Sequence, residues 1–143
     1  EKSLRRASEL QPGNAEIMNN LGRLAMAQGR RDDAIALWRR ALQLQPGLAL
    51  AHFNIGLAEL DADLADHAMH MQRLMNARQT LVPLAKRRAE LDMASYAAGK
   101  LDLGSALLST LALAEAEVDA LSREADVARD AIRINYTYGG MRP

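Results

Sequence analysis

The sequence predicts an all-α fold in two parts, and three observations support this prediction. A stretch near the N-terminus repeats at a spacing of 34 residues, a heptad pattern follows it, and aromatic residues make up only 3% of the chain. Ala and Leu dominate while β-branched residues are few, a composition that favours closely packed helices. We therefore expect helix-turn-helix repeats over residues 1–62 and a long antiparallel coiled-coil helical hairpin over residues 63–143.

The 34-residue period runs through both helices of one unit. The repeated residues are Arg5, Arg6, Ala7, Leu10, Gln11, Pro12, Gly13, Asn20 and Gly22, which return as Arg39, Arg40, Ala41, Leu44, Gln45, Pro46, Gly47, Asn54 and Gly56. A fixed period of this length predicts a stacked helical unit that cannot bury its apolar face alone. One repeat is complete over residues 15–48, with partial repeats on either side. Because residue 1 would fall inside a helix, we expect the sequence to be a fragment of a longer protein.

This repeat resembles the tetratricopeptide repeat family over residues 15–48. The residues that carry the resemblance are Asn20, Leu21, Gly22, Ala25, Gly29, Ala34, Trp38, Ala41 and Pro46. Physical reasons agree with it, since Gly22 would let two helices approach closely, Trp38 would fill the space between units, and Pro46 cannot continue a helix interior.

The tetratricopeptide resemblance implies a scaffold that binds a peptide partner. Asn20, Arg23 and Asn54 fall on first-helix positions that face the concave groove in that family, where they would hold a peptide backbone or a terminal carboxylate. From the residues alone, Asn20 and Asn54 are equally suited to a hydrogen bond that stabilises helix stacking, because buried polar groups need partners in either case. Arg23 would then face solvent.

The 34-residue period ends near residue 60, and a heptad pattern replaces it. Apolar residues in the last part of the chain alternate in spacings of four and three at Leu107, Leu111, Ala114, Val118, Leu121, Ala125, Ala128 and Ile132. The same spacing occurs upstream at Leu74, Ala77, Leu81, Leu84, Arg88, Leu91, Ser95 and Ala98. We expect these two stripes to form the seam of the hairpin. Pro83 either kinks the first arm or lies in the first turn of a helix capped by Thr80.

The turn of this hairpin is predicted between residues 96 and 103. Gly99 can adopt the left-handed conformation that ends a helix, and Asp102 can cap the helix that follows.

Residues 70–140 resemble the C-terminal part of TolC-like outer-membrane efflux factors, most closely the heavy-metal efflux branch. The resemblance rests on Leu81-Val82-Pro83, Ala89-Glu90-Leu91, the turn Tyr96-Ala97-Ala98-Gly99-Lys100-Leu101-Asp102-Leu103, and the ending Tyr136-Thr137-Tyr138-Gly139. It implies that Tyr96, Gly99, Lys100, Leu101, Asp102 and Leu103 form a tip that meets a periplasmic adaptor protein or neighbouring subunits. The resemblance also implies a periplasmic or outer-membrane location. The earlier hairpin and the membrane strands of that family are missing from this sequence.

No cofactor, metal or catalytic site is predicted. His67 with His70 or Met71 shares a helix face that could offer ligands to a soft metal, but no third firm ligand accompanies them, so we expect a solvated face. The serines lack a neighbouring histidine or a strand-turn-helix elbow, and no phosphate-binding glycine pattern occurs. We therefore predict that the chain is not an enzyme.

Charge and composition exclude some kinds of partner. The 18 basic and 18 acidic residues balance, which predicts no nucleic-acid binding, and no apolar run is long enough for a membrane span. The sequence therefore predicts protein partners, with a homo-oligomer among them. Two functions stay open: a repeat scaffold joined to an efflux hairpin that docks an adaptor, or a repeat scaffold whose coiled coil only mediates oligomerisation.

Overall fold

A computed structural model describes residues 13–139, and all regular structure in that range is helical. In chain order the elements are α1 (Ala15–Ala27), α2 (Arg31–Leu44), α3 (Ala49–Asn76), a π-helical turn (Ala77–Leu81), α4 (Val82–Ala97) and α5 (Leu103–Tyr138). The predicted all-α class is confirmed. Within the described range, none of the helices has both the length and the apolar character that crossing a membrane requires. The repeated residues 5–12 lie outside the described range.

The chain divides between Ala62 and Asp63 into two compact units. The first contains α1, α2 and the beginning of α3, and the second contains the rest of the described chain. Because α3 continues through the division, the change of sequence pattern expected near residue 60 occurs inside a helix.

Local sequence signals set both ends of α1. The side chain of Asn14 accepts hydrogen bonds from the backbone N–H groups of Glu16 and Ile17, at 3.0 and 3.2 Å, and so caps α1. Gly29 follows α1 with a φ of 73°, a left-handed conformation that favours glycine. The chain then reverses, and α2 packs against α1.

The core of the first unit is built mainly from alanines around one large side chain. The buried apolar residues are Ala15, Met18, Ala25, Ala34, Trp38, Ala41, Ala51 and Ala58. Trp38 is only 2% exposed, as its position in the repeat predicts. Its indole Nε1 donates a 3.1 Å hydrogen bond to the backbone oxygen of Asn19, which satisfies the polar atom of a buried aromatic ring.

The second unit is an antiparallel hairpin. We call residues 63–97 arm 1 and helix α5 arm 2. Arm 2 runs back along arm 1, since Arg78 pairs with Glu124 and His70 pairs with Asp130. The turn matches the prediction: Gly99 has a φ of 69°, and the Asp102 side chain accepts a 2.9 Å hydrogen bond from the N–H of Ser105.

The predicted seam of the hairpin is wrong at its large residues, although Ala77, one of its small residues, is buried. The large residues of the heptad stripe on arm 2 are exposed, namely Leu107, Leu111, Val118, Leu121 and Ile132. The residues that arm 2 buries are small or polar instead: Ala106, Ser109, Ala120 and Asp130. Arm 1 likewise buries Ala77 and Ala89, whereas Leu84 and Leu91 are 64% and 62% exposed. Alanines rather than leucines therefore line the contact between the arms, because small side chains let two helices approach closely.

A π-helical turn explains why the stripe on arm 1 changes face. The N–H of Val82 donates to the carbonyl oxygen of Ala77, five residues back, so this turn holds one extra residue. Pro83, two residues after this turn, has no N–H to donate and cannot extend an ordinary helical ladder. Thr80 lies inside the π turn, and α4 begins without a side-chain cap, so Thr80 does not cap it. The extra residue rotates Leu84 and Leu91 away from the face that buries Ala77.

Candidate functional site

A cavity of about 340 Å³ opens on the first unit. Helix α1 supplies three of its lining residues, α2 supplies one, and the first turns of α3 supply the others. The lining residues are Arg23, Met26, Ala27, Trp38, Asn54, Leu57, Ala58 and Asp61. Most of the cavity surface is apolar, and its lining includes one basic side chain, Arg23, and one acidic side chain, Asp61. This arrangement suits an apolar ligand side chain flanked by polar groups.

The lining residues follow from helix periodicity. Asn54, Leu57, Ala58 and Asp61 are spaced by three, one and three residues, so they share one face of α3. Arg23, Met26 and Ala27 have the same relation on α1. Arg31 of α2 donates a hydrogen bond to the backbone oxygen of Ala58, which fixes α2 against α3 beside the cavity.

Two of the three predicted groove residues line this cavity. Arg23 is exposed, and neither it nor Asp61 forms an ion pair with any other residue in the described range. Both charges are therefore available to a ligand. Asn54 lies beside them, whereas Asn20 is exposed and is not one of the lining residues.

Asn19 is the polar residue that the sequence analysis missed. It is only 4% exposed, and its side-chain oxygen accepts a 2.9 Å hydrogen bond from Nδ2 of Asn54. Its backbone oxygen accepts the hydrogen bond from Trp38. Asn19 thus links the side chains of two cavity residues. Helix spacing could have identified it. Asn19 lies three residues before Gly22 and six before Ala25, so the three share one face of α1, and this face is buried together with Met18.

The predicted partner-binding turn of the hairpin is exposed at most positions. Tyr96 is 41% exposed and Leu103 is 46% exposed; Gly99, Lys100 and Asp102 are exposed as well, and Leu101 is half-buried. Two hydrogen bonds from Ser105, from its hydroxyl and from its backbone N–H, lower the pKa of Asp102. Asp102 is therefore part of the turn's structure as well as of its surface.

A polar cluster joins the two arms at the end far from the turn. Asp130 is 8% exposed, and its Oδ2 accepts a 2.5 Å hydrogen bond from Nδ1 of His70. This hydrogen bond is the main cause of the lowered pKa of Asp130, to which the positive charge of Arg133 also contributes. Arg133 bridges to Asp63 at 3.0 Å, and Asp63 accepts a hydrogen bond from the Tyr138 hydroxyl at 3.1 Å.

The two histidines of the predicted solvated face lie at this cluster. His70 is engaged by Asp130, and Nδ1 of His67 is buried without a hydrogen-bond partner among the described residues. No group of three or more His, Cys, Asp or Glu residues suited to a metal ion occurs in residues 13–139.

Comparison with known proteins supports the repeat. Residues 15–48 match the tetratricopeptide repeat family model, over the same range that the sequence pattern delimits. No curated protein and no solved structure matches the chain. The matched segment contributes α1, α2 and the cavity residues from Arg23 to Trp38, and this repeat indicates a protein-interaction scaffold.

Proposed function

We propose that the chain is a non-enzymatic interaction protein whose first unit binds an extended peptide segment of a partner. The cavity between α1 and α3 carries this proposal. Its volume, about 340 Å³, lies within the usual range for ligand sites, roughly 300–1,000 Å³. Met26 and Leu57, next to the buried ring of Trp38, offer an apolar surface for one anchoring side chain of the peptide.

Charges at the cavity suggest the chemistry of the peptide. Arg23 has no acidic partner among residues 13–139 and presents a planar guanidinium, which recognises a carboxylate through two parallel hydrogen bonds. Asp61 is equally free to accept hydrogen bonds from a basic side chain or from backbone N–H groups. We propose a peptide with an apolar anchor beside an acidic residue or a terminal carboxylate.

Trp38 is the only tryptophan of the chain, so its fluorescence can report on peptide binding. A library of short peptides should be titrated against the whole chain, and the tightest binder should then be tested on variants. Arg23→Ala and Leu57→Ser should each weaken its binding about tenfold or more, because each removes a group that lines the cavity.

Arg40→Ala is the matched control, since Arg40 is an exposed arginine of the same unit that does not line the cavity. The proposal is wrong if Arg23→Ala and Arg40→Ala bind the peptide equally well.

A second candidate function concerns the turn of the hairpin. We propose that Tyr96, Lys100 and Leu103 dock a helical hairpin of an adaptor protein in an efflux system, in keeping with the resemblance to outer-membrane efflux factors. Exposure of the aromatic Tyr96 and the apolar Leu103 beside this turn supports this role, because aromatic residues are enriched in protein interfaces.

Testing the turn requires substitutions that preserve its structure. Asp102 caps α5, so Asp102→Arg would remove a cap worth about 0.5–2 kcal/mol. A loss of docking in that variant could then result from a destabilised fold. Lys100→Glu and Leu103→Asp change the exposed surface and keep the cap. In cells that express the protein, they should abolish adaptor crosslinking and efflux without lowering the abundance of the protein.

Asp102→Ser keeps a capping side chain and serves as the control. If adaptor crosslinking and efflux are unchanged by Lys100→Glu and Leu103→Asp, the docking role fails and the oligomerising scaffold becomes the better proposal.

A further inference from the structure

A second cavity, of about 390 Å³, lies in the hairpin beside the π-helical turn. Both arms contribute to its lining, which consists of Arg78, Val82, Glu117, Ala120 and Leu121. Its volume falls within the usual range for sites of small ligands, roughly 300–1,000 Å³. All of its lining residues belong to the second unit, so this cavity is separate from the peptide cavity of the first unit.

Three apolar side chains form part of this lining. Ala120 is buried, Val82 is half-buried and Leu121 is exposed. The small side chain of Ala120 leaves room where the arms meet, and Val82 and Leu121 supply apolar surface that a ligand can cover. Removing such surface from water favours the binding of an apolar group.

One carboxylate of the cavity has no ion-pair partner. The positive charge of Arg78 is already paired with Glu124. Glu117 lines the same cavity, and it forms no ion pair with any residue between 13 and 139. No basic residue lies three or four positions from Glu117 along α5, where a helix would bring it close. The cavity therefore carries a negative charge that attracts a cation.

The π-helical turn supplies a second hydrogen-bond acceptor. Val82 donates its N–H to the carbonyl oxygen of Ala77, and Pro83 has no N–H. The carbonyl oxygen of Arg78 therefore receives neither of the usual helical hydrogen bonds, which come from the N–H groups four or five residues on. Because Arg78 lines the cavity, this oxygen can accept a hydrogen bond from a ligand bound there. Single π-helical turns within helices are frequent at functional sites.

We propose that this cavity binds a small organic cation, a protonated amine attached to an apolar body. The ammonium group donates hydrogen bonds to the carboxylate of Glu117 and to the carbonyl oxygen of Arg78, and the apolar body covers Val82 and Leu121. An ammonium has three donors and no acceptor, so it matches a site that offers two acceptors. A neutral ligand would leave the carboxylate without a counter-charge, and an anion would be repelled by it. This site goes beyond the proposed peptide binding and does not depend on it.

Titration of the whole chain with phenethylamine, followed by the NMR signals of the backbone amides, tests the proposal. Phenethyl alcohol is the matched ligand, because it carries a neutral hydroxyl in place of the ammonium. We expect the amine to shift the amide signals of Val82, Ala120 and Leu121 and to bind about tenfold more tightly than the alcohol. Three results would each overturn the proposal: no shift at about 10 mM amine, equal affinity for the two ligands, or shifts confined to residues outside this cavity.

Substitutions separate the charge of the site from its apolar surface. Glu117→Gln should weaken binding of the amine about tenfold and leave binding of the alcohol unchanged, because it removes only the charge. Glu115→Gln is the matched control, since Glu115 is an exposed glutamate of α5 that does not line the cavity. If the two variants bind the amine equally well, the proposed site is wrong.

Leu121→Ser should weaken binding of both ligands, because it removes apolar surface from the lining. Leu107→Ser is its control and should weaken neither, since Leu107 is another exposed leucine of α5 and does not line the cavity. Helical circular dichroism should be equal in all four variants. Equal weakening by Leu121→Ser and Leu107→Ser would contradict the placement of the apolar body.

Discussion

Gly22 of α1 lies directly against the indole ring of Trp38 in α2. A Cβ atom at position 22 would stand 2.4 Å from the indole Nε1 and 2.6 Å from the indole Cδ1, closer than non-bonded atoms approach. The ring is held in place, because its Nε1 donates to the backbone oxygen of Asn19. The contact explains why the repeat needs a glycine inside α1, where this residue is otherwise unfavourable for a helix.

Gly22→Ala should therefore lower the free energy of unfolding by about 1–3 kcal/mol, the usual cost of overpacking. Gly56→Ala is the control, since Gly56 occupies the equivalent repeat position in α3 and a Cβ there would meet nothing within 4 Å. That variant should be neutral or more stable by up to about 1 kcal/mol, as expected for alanine in a helix. Urea denaturation measures both, and equal effects would contradict the close contact.

Trp38→Ala should cost about 3–5 kcal/mol, because it removes the largest side chain of a core otherwise made mainly of alanines. The midpoint of chemical denaturation, followed by circular dichroism, measures the loss. An unchanged midpoint would reject the stacking of α1 and α2 around this ring.

Asn54→Ala should leave the side-chain oxygen of buried Asn19 without its hydrogen-bond donor. An unsatisfied buried polar atom costs about 1–3 kcal/mol, so the variant should be destabilised by this amount. Asn20→Ala is the matched control, since Asn20 is exposed, and it should change stability by less than about 0.5 kcal/mol. Urea denaturation of the two variants decides between Asn19 and Asn20 as the partner of Asn54.

The repeat was predictable because its signal lies in residue identity at a fixed period. Gly22 and Asn54 occupy positions that recur at this period, and Trp38 occupies the position of a large residue in the repeat family. The pattern delimits the same residues 15–48 that match the family model. The period points to Asn20 as the counterpart of Asn54, since the two are 34 residues apart. The hydrogen bond instead joins Asn54 to Asn19, because contact between helices depends on which side chains face inward rather than on repeat equivalence.

The inner face of the hairpin was not predictable from heptads alone. Arm 2 carries a stripe of leucines and a stripe of alanines, and both have helical spacing. Choosing between them requires knowing that the arms meet through Ala89 and Ala120 and not through Leu91 and Leu121. The π turn at Ala77–Leu81 adds a residue that a regular heptad cannot represent. The turn itself was predictable, because the left-handed conformation of Gly99 and the helix cap formed by Asp102 depend only on neighbouring residues.

Gly99→Val should destabilise the hairpin, since a φ of 69° is strained for a β-branched residue. We expect a loss of about 1–3 kcal/mol. Lys100→Ala in the same exposed turn is the control and should be nearly neutral. Thermal unfolding followed by circular dichroism compares the two, and similar midpoints would argue against the left-handed conformation at residue 99.

The contact of Asp130 with His70 predicts a dependence of stability on acidic pH. The pKa of Asp130 is lowered from its ordinary value of 3.8, first by the hydrogen bond from His70, so the folded state favours the charged carboxylate. Its contribution to the free energy of unfolding is therefore fully present above pH 4 and is lost as the pH falls through the lowered pKa. Asp130→Asn should be less stable than the unmodified protein at pH 6, and the difference in the free energy of unfolding should shrink as the pH falls from about 4 to 2.

Urea denaturation across this range measures the difference. Asp126→Asn is the control, because Asp126 pairs within α5 with an arginine that is 74% exposed. A difference between parent and Asp130→Asn that stays constant down to pH 2 would show that the charge of Asp130 does not stabilise the hairpin.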